Sequence, residues 1–147
     1  MFNLFKKKTQ STLDNEIEDE VLAVISLLVE AANIDEVFEE REKKIISEII
    51  KKQFSIKDDA LINKTLDKIR VDLNESGDLV THTKKVKNSW SLEKRIQIIE
   101  MLWKVCLVDN NLDPYEDMLI RKIAGLIYIE PKDSNAAKAR VLKSLDK

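Results

Sequence analysis

Residues 27–46 read LLVEAANIDEVFEEREKKII, and residues 102–127 read LWKVCLVDNNLDPYEDMLIRKIAGLI. Each stretch starts as the end of an apolar helix, passes through an acidic loop and continues as an amphipathic helix. Laid over each other 74 residues apart, they put Asp109 on Asp35, Asp113 on Glu39 and Glu116 on Glu42 without a gap. Apolar positions coincide as well: Leu102 on Leu28, Val108 on Ile34, Leu112 on Phe38, Leu119 on Ile45, Ile120 on Ile46, Ile123 on Ile49 and Ala124 on Ile50. Two copies are too few for a solenoid, which needs at least three. The pattern predicts one helix–acidic loop–helix unit used twice around a pseudo-twofold core.

The remaining sequence agrees with an all-α fold. The chain has 147 residues, 44% of them hydrophobic and 35% charged, with two glycines and two prolines. So few turn formers do not suit a sandwich or barrel and favour long helices with short links. A first helix is expected over Asn15–Asn33, apolar on nearly every side from Val21 to Val29, and so near the domain centre. A second runs from Glu39 or Glu40 to Phe54. Ser55, with Asp58 three residues on, reads as the cap of a third helix carrying Leu61, Ile62, Leu66, Ile69 and Leu73. The Ser76-Gly77-Asp78 break leads to a more polar helix over Leu79–Lys87. Ser91 caps a fifth helix to about Val108, and Asp113-Pro114 starts a sixth to about Ile129. Pro131 then stops the sixth helix, and a last helix covers Ala136–Leu145. The expectation is a single compact bundle of about seven helices over 15–147, preceded by a tail at 1–14.

Charge and residue inventory exclude several functions. The net charge is −2, without the basic excess of a nucleic-acid binder. The lone cysteine, Cys106, lies in an apolar run and reads as a core residue of a reducing compartment. His82 is the only histidine, so a zinc site lacks partners. Neither a Ser–His–acid pattern, a phosphate-binding glycine loop nor HExxH occurs, which points away from an enzyme. Trp90 and Trp103 read as packing residues. The chain offers nothing near the ~20 apolar residues of a membrane span, and a cytoplasmic location is expected.

Two features can bind something. Asp109, Asp113 and Glu116, with Asp35, Glu39 and Glu42 as the equivalent set, supply carboxylates at spacings of four and three. Hard cations such as Ca²⁺ or Mg²⁺ take oxygen ligands of this kind. Asp113 and Glu116 equally fit a capping box, which accounts for both without a ligand. The stretch DNNLDPYEDMLI is no EF-hand, because Pro114 and Ile120 stand where the turn glycine and bidentate glutamate belong. At the N-terminus, Phe2, Leu4 and Phe5 precede Lys6, Lys7 and Lys8, a composition suited to weak contact with an anionic membrane or to a tail that binds nothing. Lys84, Lys85 and Lys87 form a second basic patch, read as a solvated face.

The two quoted stretches, joined by SWSLEKRIQIIEMLW at 89–103, resemble the TerB-like family over roughly residues 15–145. That family is associated with bacterial tellurite resistance and occurs in membrane-anchored DnaJ-type co-chaperones. The resemblance implies an all-helical, non-enzymatic stress-response module binding a divalent cation or small ligand, peripheral to the inner membrane face. It also allows a protein–protein interaction module that presents an acidic face to a partner in a membrane-associated complex. The usual family loop reads Ala-Asp-Gly, and here Glu36 and Asn110 occupy the glycine positions. Asn tolerates a left-handed backbone better than Glu does.

Overall fold

The computed structural model describes residues 17–32, 40–75, 79–107 and 113–145, without the side chains of 72–75. Seven helices follow in chain order: α1 (Asp19–Ala32), α2 (Glu40–Phe54), α3 (Asp59–Glu75), α4 (Leu79–Ser89), α5 (Leu92–Cys106), α6 (Pro114–Leu126) and α7 (Pro131–Leu145). The described residues contain no strand.

Two helices form the centre. In α1, every residue from Ala23 to Val29 is buried, so it packs on all sides, meeting α2, α3, α4, α5 and α6. Its buried Ser26 is satisfied locally: the hydroxyl donates to the Leu22 carbonyl at 2.8 Å. The second centre is α5, where Ile98, Ile99, Leu102, Trp103 and Val105 are inaccessible or nearly so. It packs on α1, α2, α6 and α7. The outer helices contribute one stripe each, as amphipathic helices do. Ile46, Ile49 and Ile50 point inward from α2, Ile62, Leu66 and Ile69 from α3, and Ile120, Ile123 and Ala124 from α6. Cys106 is buried and outside any disulfide.

Two boundaries differ from the sequence-based expectation. Ser55 does not cap α3. Its φ is +56°, so it ends α2 in the left-handed conformation, and Asp58 does the capping. The Asp58 carboxylate accepts from the Leu61 N–H at 3.1 Å, and its carbonyl from Ile62 N–H at 3.0 Å. Pro131 does not merely stop a helix; it is the first residue of α7, five residues before the expected start. Proline suits that position because its missing N–H would have no helical partner there. Helix α6 is ended instead by a left-handed Tyr128, φ +61°. Tyr128 N–H donates to Gly125 carbonyl at 3.2 Å and Ile129 N–H to Ala124 carbonyl at 2.8 Å, a Schellman arrangement.

Long polar reaches lock the packing. The fully buried Trp103 donates its indole N–H to the Ser134 carbonyl of α7 at 3.1 Å. Trp90, half-buried before the Ser91 cap, donates to the Glu20 carbonyl of α1 at 3.3 Å and lies 6.1 Å from the Phe54 ring. Arg95 bonds Trp90 carbonyl at 3.1 Å through Nε and Ile127 carbonyl at 2.6 Å through Nη1. It thereby ties the α4–α5 corner to the end of α6.

Candidate functional site at the helix ends flanking the acidic loops

The start of α6 is built as its sequence requires. Asp113 is extended, with φ −71° and ψ 136°, and its carboxylate accepts from Tyr115 N–H at 2.7 Å. Glu116 reaches back, one carboxylate oxygen accepting from Asp113 N–H at 3.1 Å, while Pro114 occupies the first helical position. This reciprocal box satisfies donors that the first turn leaves unpaired. Glu116 is only 7% exposed, so its carboxylate is taken into the fold by this role.

Asp117, next in the same turn, faces α7 instead. Its carboxylate accepts from Arg121 Nε at 2.8 Å and lies 3.4 Å from Lys138 Nζ. The Arg121 hydrogen bond and the two positive charges hold Asp117 below the usual aspartate range, against a smaller opposing effect of burial. Arg121 and Lys138 also sit over the Trp103 ring, at 5.9 and 5.0 Å from its centroid.

Of the six candidate ligands, the structure therefore brings Asp113 and Glu116 together as a cap. Glu42 is placed in the first turn of α2, half-buried and beside Glu40 and Arg41 in sequence. Asp35, Glu39 and Asp109 lie outside the described residues, as do Phe2, Leu4, Phe5 and Lys6–Lys8 of the tail. Among the described residues, no group of three or more His, Cys, Asp or Glu side chains is gathered as for a metal.

One residue at this end was not singled out from the sequence. Glu30, in the last turn of α1, has its Oε2 buried with no hydrogen-bond partner. Burial pushes its carboxyl above the usual glutamate range, and the positive charge of Lys122 on α6 only partly offsets that. A signal was present: Glu30 is the only ionisable residue in the run VLAVISLLVEAA at 21–32, and an isolated carboxylate in such a run needs a reason.

The family model described as Tellurite resistance protein TerB matches residues 21–139. The chain belongs to the TerB family. Neither a curated protein nor a solved structure matches it. The TerB match begins in the first turn of α1 and ends within α7, so it covers nearly all of α1, all of α5 and the helices that follow each of them. Among the described residues, no helix of this TerB chain is long and apolar enough to cross a membrane.

Proposed function

We propose that this TerB-family chain is a non-enzymatic stress-response module that binds a divalent cation, Ca²⁺ or Mg²⁺, or a small ligand at the acidic end of its helical hairpins. The observation that carries the reading is Glu30, whose buried Oε2 has no hydrogen-bond partner five residues before Asp35. A carboxylate oxygen in that state is stabilised by any cation that reaches it. Asp35, Glu39 and Asp109 are the further oxygen donors assigned to the site. Asp113 and Glu116 belong to it as the cap that fixes where α6 begins.

Calorimetric titration with Ca²⁺, Mg²⁺ and Mn²⁺ tests this on the wild type, Glu30→Gln and Asp109→Asn. Heat of binding in the wild type, weakened in both variants, is expected. Absence of heat at about millimolar cation, far above the range of regulatory calcium sites, would refute it.

A second reading is favoured by the commitment of Asp113 and Glu116 to capping, because carboxylates so used are poor ligands. In it the module presents acidic residues, Glu39 and Glu42 among them, to a protein partner in a cytoplasmic complex peripheral to the membrane. Partner capture then survives chelation and falls when Glu39 and Glu42 are reversed to lysine. Capture that disappears with chelator returns the role to the cation.

A further inference from the structure

One face of α5 is left uncovered between α2 and α7. A groove of about 410 Å³ lies there, with Ile49, Met101 and Val141 as its floor. It shares Gln53, Gln97 and Met101 with a smaller hollow of about 100 Å³, which continues the apolar floor to Phe54 and Trp90. From Lys94 to Lys104 the combined trough follows α5 for ten residues, about 15 Å at the helical rise. That is the length of a helix of nearly three turns.

The rim has a sign. Lys94, Lys104 and Arg140 line it, with Glu100 as the one carboxylate among the lining residues. Glu100 is already committed to Arg140, Oε2 to Nη2 at 2.8 Å. Lys94 and Lys104 thus leave the trough positive within a chain whose net charge is −2. A narrow apolar floor between polar walls, open along a helix axis, is the shape that receives an amphipathic helix by its i, i+3, i+4 and i+7 side chains. The chain's own N-terminal Met1–Lys8 carries apolar residues but brings three lysines to a positive rim.

We propose that the α2–α5–α7 trough is a docking site for an acidic amphipathic helix of a partner protein. Leucine-type side chains lie on Ile49, Met101 and Val141, and glutamates of the incoming helix pair with Lys94 and Lys104. The site uses none of the loop and cap carboxylates and needs no cation.

The test uses the full chain, labelled for amide NMR, and a synthetic helical peptide of Leu, Glu and Ala with leucines at i, i+4 and i+7. A scrambled peptide of the same composition and a Lys-for-Glu peptide serve as controls. Amide shifts are expected to concentrate on Gln53, Gln97, Lys104 and Ser144, with the Leu/Glu peptide alone. The Lys94→Glu, Lys104→Glu variant is expected to weaken binding about tenfold or more, a loss typical of rim charges opposed to a charged partner. Gln97→Trp, a surface change that fills the trough while leaving the rim charges in place, is expected to block it. No shifts at about 1 mM peptide, weaker than any useful recognition, would overturn the proposal. Shifts centred elsewhere, or equal binding of the Lys-for-Glu peptide, would do the same. Contacts from residues 2–8 to Gln97 in the peptide-free chain would make the tail the occupant, and concentration-dependent dimerisation through the trough would make it a second copy. Either result also overturns the partner-helix assignment.

Discussion

Trp103 on α5 donates its indole N–H to the carbonyl oxygen of Ser134 on α7, 31 residues later, across 3.1 Å of fully buried space. This bond lies beneath Arg121 and Lys138, so one side chain joins the core, the α6–α7 corner and the surface ion pairs. Trp103→Phe keeps an aromatic ring and removes the donor. Urea unfolding should show a loss of about 2 kcal/mol, roughly 1 from the hydrogen bond and the rest from missing bulk. Trp90→Phe, at a half-buried site, should cost less; an equal cost would show that the buried reach to α7 matters no more than ordinary contact.

The capping box makes a sharper claim about Asp113. Asp113→Ala should lower stability by about 0.5–2 kcal/mol. Asp113→Asn, which retains an accepting oxygen, should lose only a fraction of that. Thermal melts of the two variants separate capping from charge, and equal losses would mean that the negative charge at the helix start, rather than the bond to Tyr115, carries the effect.

Glu30 and Asp117 should tilt the pH dependence of stability in opposite directions. Burial raises the Glu30 carboxyl above its ordinary 4.5, so its contribution is fully present below that value and is lost as pH rises through the raised one. Glu30→Gln should therefore gain on the wild type as pH increases across that window. Asp117 is lowered from 3.8 by Arg121 and Lys138, so its contribution is present above 3.8 and is lost as pH falls through the depressed value. Asp117→Asn should lose its disadvantage in acid. Denaturation midpoints measured between acid and neutral pH test both signs, and parallel profiles for the two variants would contradict the assignment.

Ser55 holds a left-handed backbone without glycine's freedom. A non-glycine residue there costs about 1–2 kcal/mol, whereas glycine's extra unfolded entropy costs about 0.4–1 kcal/mol. Ser55→Gly should consequently be neutral or stabilising by up to about 1 kcal/mol, and Ser55→Val clearly destabilising. A measured loss for the glycine variant would place a side-chain role at Ser55.

The helices were legible because their signals are local. The Val21–Val29 run, apolar but for Ser26, the stripe of Ile46, Ile49 and Ile50, and the Asp113-Pro114-Tyr115-Glu116 start each specify their element without outside help. Where local chemistry is ambiguous, sequence and structure part. Ser55 and Asp58 both resemble caps, and only the backbone at Ser55 decides between them. Pro131 closes one helix or opens the next with equal ease until Glu130 is seen accepting from Asp133 and Ser134 N–H, at 2.9 and 3.0 Å. The candidate site was less legible. Spacing finds carboxylates, but it cannot tell a cap from a ligand, and the burial of the Glu30 oxygen is a product of tertiary packing that no local pattern shows. The register of 74 residues is a property of the sequence, and the α1–α2 and α5–α6 hairpins are the elements it relates.

Arg95 gives the start of α5 and the end of α6 a shared fate. One guanidinium occupies carbonyls at Trp90 and at Ile127, so neither the turn before α5 nor the last turn of α6 can fray without exposing the other. In hydrogen exchange, amides at these distant positions should open as one cooperative unit. Arg95→Ala should split them into two, each opening more often. A TerB chain held in this way couples the start of its fifth helix to the end of its sixth through one guanidinium.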